Sequence, residues 1–247
     1  MAIVMISLGL YHTRMLPSGG AATSEATSFK ETFDKLVEVI LDFFKKKHIW
    51  YYIAFIILYR FAEGFVMKIV PLFLKAGREI GGLGLSEQEI GIYYGTYGAA
   101  AFVLGSLLAG YYISHRGLKK TLFSLCCTFN LPFIAYTLLA IYQPTSGMLI
   151  GGAIVLEYFG YGFGFTSLTY FMMLFSNGKH QTAHYAICTG FMALGLMLPG
   201  MISGWIEESI GYRAFFVWIM LCTIPSFWAT HLVRKNLTDN HSDNSSR

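Results

Sequence analysis

The chain has 247 residues, 55% of them hydrophobic and 13% charged, with a mean hydropathy of +0.52 and a formal net charge of +4. An ordinary soluble domain carries about a quarter charged residues, so this composition excludes a water-soluble fold and points to the lipid bilayer. The positive charge is spread as a topological bias, described below, which excludes reading it as a nucleic-acid surface.

Met1 to Tyr11 is an apolar run too short to span a bilayer. It reads as a signal peptide lacking its basic residues, or as the inner end (1–11) of a truncated preceding transmembrane helix. Residues 12–47 form a cytoplasmic connector, opened by Pro17, Ser18, Gly19 and Gly20. Within it, 28–47 is predicted to be an amphipathic helix. Ser28 and Glu31 match a capping box, and Phe29, Phe33, Leu36, Ile40 and Phe44 recur at spacings of three and four. With Glu31, Asp34, Lys35, Glu38 and Asp42 opposite, it should lie along the membrane surface, either joining two halves of a transporter or serving as an anchor.

Six apolar stretches follow, at 48–74, 90–114, 119–142, 147–175, 184–206 and 212–233. Each reaches the roughly 20 residues that cross about 30 Å of hydrocarbon at 1.5 Å per residue. The expected bundle is 48–235, with 236–247 a cytoplasmic tail. Lys and Arg in the flanking loops divide thirteen to three between alternate sides. The rich side holds Arg14, Lys30, Lys35, Lys45 to Lys47, Arg116, Lys119, Lys120, Lys179, Arg234, Lys235 and Arg247; the poor side holds Lys75, Arg78 and Arg213. By the positive-inside rule both termini are cytoplasmic.

The first stretch contains Arg60, Glu63 and Lys68. A charge at the centre of a membrane helix costs about 2.5–3.5 kcal/mol on insertion scales, against about 0.3–0.6 returned by a Leu or Ile. Arg60 and Glu63 lie one helical turn apart and can neutralise each other, either as an ordering ion pair or as part of a pathway. Lys68 is near enough to the outer end to snorkel. The fourth stretch contains Glu157, followed by Tyr158, Phe159, Gly160, Tyr161, Gly162, Phe163 and Gly164. Gly160 and Gly164 form a G-x-x-x-G pattern for close helix approach, and the aromatics either pack or stack on a ring-containing ligand. Desolvation disfavours the charged form of a lone buried carboxylate, so Glu157 can exchange a proton. Arg60, Glu63, Lys68, Glu157 and Tyr161 are the candidate substrate or proton pathway.

Glu63 and Glu157 are 94 residues apart, and Gly110 to Gly204, Gly117 to Gly211 and Lys119 to Arg213 repeat at the same offset. The period marks an internal repeat of a three-helix unit, and an odd number of crossings inverts the second copy. The expected fold is therefore an all-α membrane protein with six transmembrane helices as an inverted 3+3 repeat.

Other patterns carry less. His180 and His184 have the spacing of a zinc pair, but His-Gln-Thr-Ala-His lacks the Glu that metalloprotease chemistry requires. Cys126, Cys127, Cys188 and Cys222 fall inside helices without metal spacing and read as packing residues. Asn236 and Asn244 begin glycosylation sequons in the predicted cytoplasmic tail, where that reaction does not occur. Gly81, Gly82 and Gly84 lack the Lys of a phosphate loop and read as a flexible outer loop. No nucleophile with a base is visible, so an enzyme is not expected, and neither is a cofactor.

The run Gly110-Tyr-Tyr-Ile-Ser-His-Arg-Gly117-Leu-Lys119-Lys120 resembles the signature loop of the major facilitator superfamily, with Ser114 in place of its Asp and His115 in place of its Arg. Both glycines and the basic end match; the departure removes the Asp and Arg of that loop's charge relay and keeps its tight turn. Leu58-Tyr-Arg-Phe-Ala-Glu63, Gly81-Gly-Leu-Gly-Leu-Ser86, Glu157-Tyr-Phe-Gly-Tyr-Gly-Phe-Gly-Phe-Thr166 and Thr182-Ala-His-Tyr-Ala-Ile-Cys-Thr-Gly-Phe-Met192 resemble the C-terminal half of AmpG-type muropeptide permeases, from Lys45 to Val233. The resemblance implies proton-driven import of anhydro-muropeptides across the bacterial inner membrane, with the family's basic residue and acid falling on Arg60 and Glu63 and its second acid on Glu157. Related members act on acetyl-CoA, which leaves a permease for another polar solute as an alternative. A whole transporter has about twelve helices with its cavity between two halves. The expected partners are thus the lipid bilayer, a missing N-terminal six-helix half or a second half-transporter, and a small polar solute. A split gene, an internal start at Met1 and a truncated, non-transporting membrane domain all fit this length.

Overall fold

The computed structural model describes Ile6, Gly9, Tyr11 and residues 29–237. The expectations for the rest of 1–11, for the linker, for Ser28 as a helix cap and for the tail beyond Leu237 lie outside the described residues. The chain divides into two units, 1–42 and 43–247. Among the described residues every regular element is helical.

Helix α1 (Phe29–Phe44) forms where the amphipathic period places it. Phe33, Leu36 and Leu41 are exposed along it. In the second unit, Phe43 is fully buried against the rings of Phe175, His184 and Phe191. Lys46 Nζ donates to the Phe175 carbonyl at 2.7 Å and lies over the Phe175 ring. A cation thereby satisfies carbonyls left open at a helix C-terminus, and burial holds this ammonium below the ordinary lysine pKa.

The first expected span is divided. Helices α2 (Ile49–Tyr59) and α3 (Phe61–Lys75) meet at Arg60, whose φ/ψ of −103°/11° is not helical. The 11- and 15-residue pieces are each shorter than a bilayer crossing, although together they match the expected length. The glycine-rich loop beyond them, expected to be flexible, is wrapped back onto α3: Leu83 N–H donates to Phe73 O at 3.0 Å and Leu85 N–H to Leu74 O at 2.8 Å. Gly81 and Gly84 make the wrap with φ of 89° and 65°. Ser86 and Glu89 then form a capping box that starts α4 (Glu87–Ile90), continued by a π-helical segment (Gly91–Gly98) and α5 (Ala99–Arg116). Next come α6 (Leu118–Asn130), α7 (Phe133–Tyr142), α8 (Gly147–Ser176), α9 (Gln181–Cys222) and α10 (Ile224–Asn236).

Four helical stretches among the described residues are long and apolar enough to cross a membrane: Glu87–Arg116, Leu118–Tyr142, Gly147–Ser176 and Gln181–Lys235. The last is 55 residues long, about 80 Å at 1.5 Å per residue. It is interrupted at Gly211, with φ/ψ of 75°/162°. Gly117, 94 positions earlier, has φ/ψ of 74°/151° between α5 and α6.

Burial repeats at the same offset. Ala101, Gly105 and Ala109 on α5 are buried, as are Gly195, Pro199 and Ser203 on α9. Val103, Leu104, Leu107, Leu108 and Tyr111 are exposed, as are Met197, Leu198, Met201, Ile202 and Trp205. The small residues bring backbones together: α5 packs on α8, and α9 packs on α2 and α3. A methyl group built on Gly105 would fall on the Phe159 carbonyl, and one on Gly195 would fall on the Ile57 carbonyl.

The interior consists of two apolar clusters. One gathers Phe65, Phe73, Phe133, Tyr136, Ile154 and Phe216, and the other gathers Phe43, Tyr59, Cys126, Phe129, Leu168 and Phe171. Along the chain the change from one cluster to the other falls at 59–62, 129–133, 154–168 and 222–229. Those intervals hold Arg60, Asn130, Glu157, Ser167, Thr223 and Ser226, half of the buried polar side chains among the described residues, and Glu63 and Thr230 lie one position beyond them.

Candidate functional site

The break at Arg60 defines the centre of this polar layer. Arg60 Nε and Nη2 each donate to one oxygen of Glu63, both at 2.5 Å. The two side chains are 3% and 1% exposed. A planar guanidinium and a carboxylate matched in this bidentate way give the strongest ordinary ion-pair geometry. Arg60 Nη2 also reaches the Tyr161 hydroxyl at 3.4 Å, and the guanidinium lies 5.5 Å from the Tyr161 ring centroid and 5.7 Å from that of Phe165. Two aromatic faces from α8 thus help to solvate a cation taken out of water.

Glu157, on α8, is buried. Tyr136 of α7 donates its hydroxyl to Glu157 Oε2 at 3.3 Å, and the Glu63 carboxylate acts on Glu157 electrostatically. Tyr161, one turn along α8, feels Glu63, Arg60 and Glu157 together. The structure therefore brings the buried Arg60, Glu63 and Glu157 together with the half-buried Tyr161.

Lys68 stands apart from it. The side chain is exposed, with its stem over Gly200. In the signature run, Gly117 has the positive φ that its turn requires. A methyl group on Gly110, by contrast, would meet nothing within 4 Å. Ser114 Oγ returns to the Tyr111 carbonyl of its own helix at 2.8 Å, and His115 packs edge-on against Tyr111. Lys119 is half-buried and Lys120 exposed. His184 is buried beside Phe43, 5.9 Å in ring-centroid distance from His180. Cys126, Cys188 and Cys222 are buried thiols.

Sequence reasoning missed a second polar chain at the helix interruptions. Asn130 Nδ2 donates to Ser226 Oγ at 3.3 Å, and Ser226 Oγ donates to the Tyr59 carbonyl at 3.0 Å. The Tyr59 hydroxyl bonds Ser167 Oγ at 2.7 Å. Tyr59, Asn130 and Ser226 sit beside the breaks that separate α2 from α3, α6 from α7 and α9 from α10, where carbonyls lose helical partners. An Asn two residues before Pro132 was a usable signal for Asn130. Tyr59 and Tyr136, two of 16 tyrosines, carried none.

A bundle of long apolar helices holding an ion pair and a second carboxyl between its apolar clusters defines the class: an all-helical integral membrane protein. More particularly, the chain is similar to proteins named as permeases and transporters. It is 24% identical over 202 residues to the anhydromuropeptide permease of Escherichia coli K12, covering 82% of this chain and 40% of that protein. It is 23% identical over 203 residues to a putative transporter AmpG 2 of Rickettsia typhi, covering 79% and 46%. An uncharacterised protein of Haemophilus influenzae is 25% identical over 208 residues, covering 79% and 48%. No family model matches. The chain spans less than half the length of these relatives, consistent with the C-terminal half of an AmpG-type permease.

Proposed function

We propose that the chain is a six-helix half of a secondary transporter, built as an inverted 3+3 repeat, which imports a small polar solute of the muropeptide type together with protons moving down their gradient. The observation that carries this reading is the buried set of Arg60, Glu63 and Glu157, because ionisable groups are expensive inside a membrane and mark solute or proton paths when present. The likeness to named permeases supports the same class.

Two features support the inverted repeat. Gly117 and Gly211 share one unusual backbone conformation, and the burial patterns of α5 and α9 coincide at the 94-residue offset. In this reading α2 and α3 together make one crossing, and α9 divides at Gly211, which brings the crossings to six. The exposed stripes from Val103 to Tyr111 and from Met197 to Trp205 then face the other half of the transporter, an N-terminal six-helix half or a second half-transporter. The setting is the bacterial inner membrane with both termini cytoplasmic.

The test is uptake into proteoliposomes. The chain is reconstituted with an N-terminal six-helix half supplied in trans, and labelled anhydro-muropeptide is offered with and without an imposed pH gradient. Accumulation that needs the acidic exterior and collapses with a protonophore is the expected result. Equal uptake with and without the gradient would remove proton coupling, and no uptake above protein-free vesicles would remove the transport reading.

A further inference from the structure

We propose that the groove between α7 and α8 binds one phospholipid, with an acyl chain along its apolar floor and the phosphate on Arg78. Only the membrane setting of the chain is needed for this, and the transport reading is not.

The groove has a volume of about 430 Å³, within the range of small-molecule sites. Its walls follow from helical spacing. Leu149, Gly152, Ala153 and Leu156 fall at i, i+3, i+4 and i+7 and so share one face of α8. The stretch from Ala135 to Tyr142 gives α7 a lining at the same intervals. Each wall is about 10 Å long at 1.5 Å per residue, against about 15 Å for half of the hydrocarbon core.

Gly152 opens the groove. A methyl group on it would meet nothing within 4 Å, whereas one on Gly151 would lie 2.8 Å from Tyr93 Cε1 and one on Gly160 would lie 2.5 Å from the Thr128 carbonyl. The latter two glycines let neighbouring elements approach, while Gly152 leaves space that no described side chain fills. Leu149 and Leu156 are exposed along the rim, and Leu139 and Ala153 are buried beneath. Inside a bilayer such a concavity takes hydrocarbon, because an empty one forfeits the dispersion contacts of its lining and polar groups are costly there.

The polar end fixes the occupant as a phospholipid. Leu118–Tyr142 and Gly147–Ser176 are both long and apolar enough to cross a membrane, so the loop joining them lies at a membrane surface. Tyr142, 75% exposed, stands at this level, where tyrosines are enriched beside the headgroups. Arg78 reaches the loop from beyond α3. Its Nη1 donates to the Gln143 carbonyl at 2.8 Å and its Nη2 to the Pro144 carbonyl at 2.9 Å, and Pro144 lines the groove. These partners are neutral and take two of the five guanidinium N–H groups. Three donors and the full charge are left exposed at the mouth, where a phosphate is the matching anion. Lys75, by contrast, is paired with Glu87 at 2.7 Å, and Glu79 turns back toward Gly77.

The experiment titrates the delipidated full chain in detergent with dipalmitoyl phosphatidylglycerol and counts bound lipids by native mass spectrometry. One lipid is expected to bind the unaltered chain at a concentration about tenfold or more below that needed by Arg78→Gln, the equivalent of one lost charge-assisted hydrogen bond. Gly152→Leu fills the groove and leaves Arg78 with its carbonyls, and it is expected to bind as weakly. Because the added leucine stands in open space, this variant keeps the fold even where Arg78→Gln does not. Dipalmitoylglycerol, which has the chains without the phosphate, and glycerophosphoglycerol, which has the headgroup without the chains, are both expected to leave the bound lipid in place. Binding by either variant equal to that of the unaltered chain overturns the site, and so does displacement by either half-molecule. Uptake plays no part in this readout, so loss of the transport reading would leave the lipid site standing.

Discussion

At the scale of single residues, the Arg60–Glu63 pair was readable before any coordinates because three positions on a helix bring two side chains to neighbouring turns. Its partners were not, because Tyr161 and Phe165 come from a helix about a hundred positions later and only packing selects which of many aromatics meets the guanidinium. The pair also shows how a charge is kept inside apolar surroundings. Breaking one partner of a buried ion pair costs about 3–5 kcal/mol, while replacing both by apolar groups of similar volume is often neutral. Glu63→Gln is therefore expected to lower stability by roughly that amount in a denaturant titration in detergent, and Arg60→Met with Glu63→Leu to recover most of it. Uptake should be lost in both. A double variant that is stable and still transports would make the pair an ordering device with no part in the pathway. Lys68 marks the limit of residue-level reading: its charge was as conspicuous as the other two, yet it lies exposed over Gly200, because a side chain near a helix end can reach outward.

At the scale of elements, the interruptions were the least legible part of the fold. Nothing in Tyr59-Arg60-Phe61 resembles a helix terminator, since the break contains neither Gly nor Pro. It is supported instead by side chains: Ser226 and Tyr161, both distant in sequence, take up the Tyr59 carbonyl and the Arg60 side chain, and Glu63, one turn on, pairs with Arg60. The glycines divide on the same principle. Gly105 is required by the approach of α8, whereas Gly110, which belongs to the signature run, has open space at its Cβ position. Overpacking a close helix contact costs about 1–3 kcal/mol. Gly105→Ala is accordingly expected to destabilise by about that much, and Gly110→Ala to change stability by less than about 1 kcal/mol, since alanine is the better helix former. Thermal unfolding of the two variants side by side measures the difference. If Gly110→Ala proved the worse of the two, the packing of α5 on α8 would need to be redrawn. Periodicity thus located the helices, but a glycine's reason is visible only in the helix opposite it.

At the scale of the whole molecule, the 94-residue offset carries the most information, because it shows itself independently in sequence, in backbone conformation and in burial. Four residue pairs suggested it, Gly117 and Gly211 share one backbone conformation, and the exposed faces of α5 and α9 coincide position by position. The helical class followed from composition. Helix length alone gives four candidate spans among the described residues; the proposed six require that one crossing be split at Arg60 and that two run together through Gly211. Inversion makes a sharp demand on topology. In the proposed inverted repeat Lys119 and Arg213 are equivalent, each two residues after its glycine, and the proposal requires them to face opposite sides of the membrane. In a background with Cys126, Cys127, Cys188 and Cys222 replaced by alanine, Lys119→Cys is expected to react with a membrane-impermeant maleimide only from the cytoplasmic side, and Arg213→Cys only from the outside. Ser146→Cys, in the loop before α8, should follow Arg213. The basic residues make the same assignment, since Lys119 and Lys120 lie on the side with thirteen and Arg213 on the side with three. Labelling of Lys119→Cys and Arg213→Cys from one and the same side would mean an even number of crossings between them, and the inverted repeat would fall whatever the match in burial.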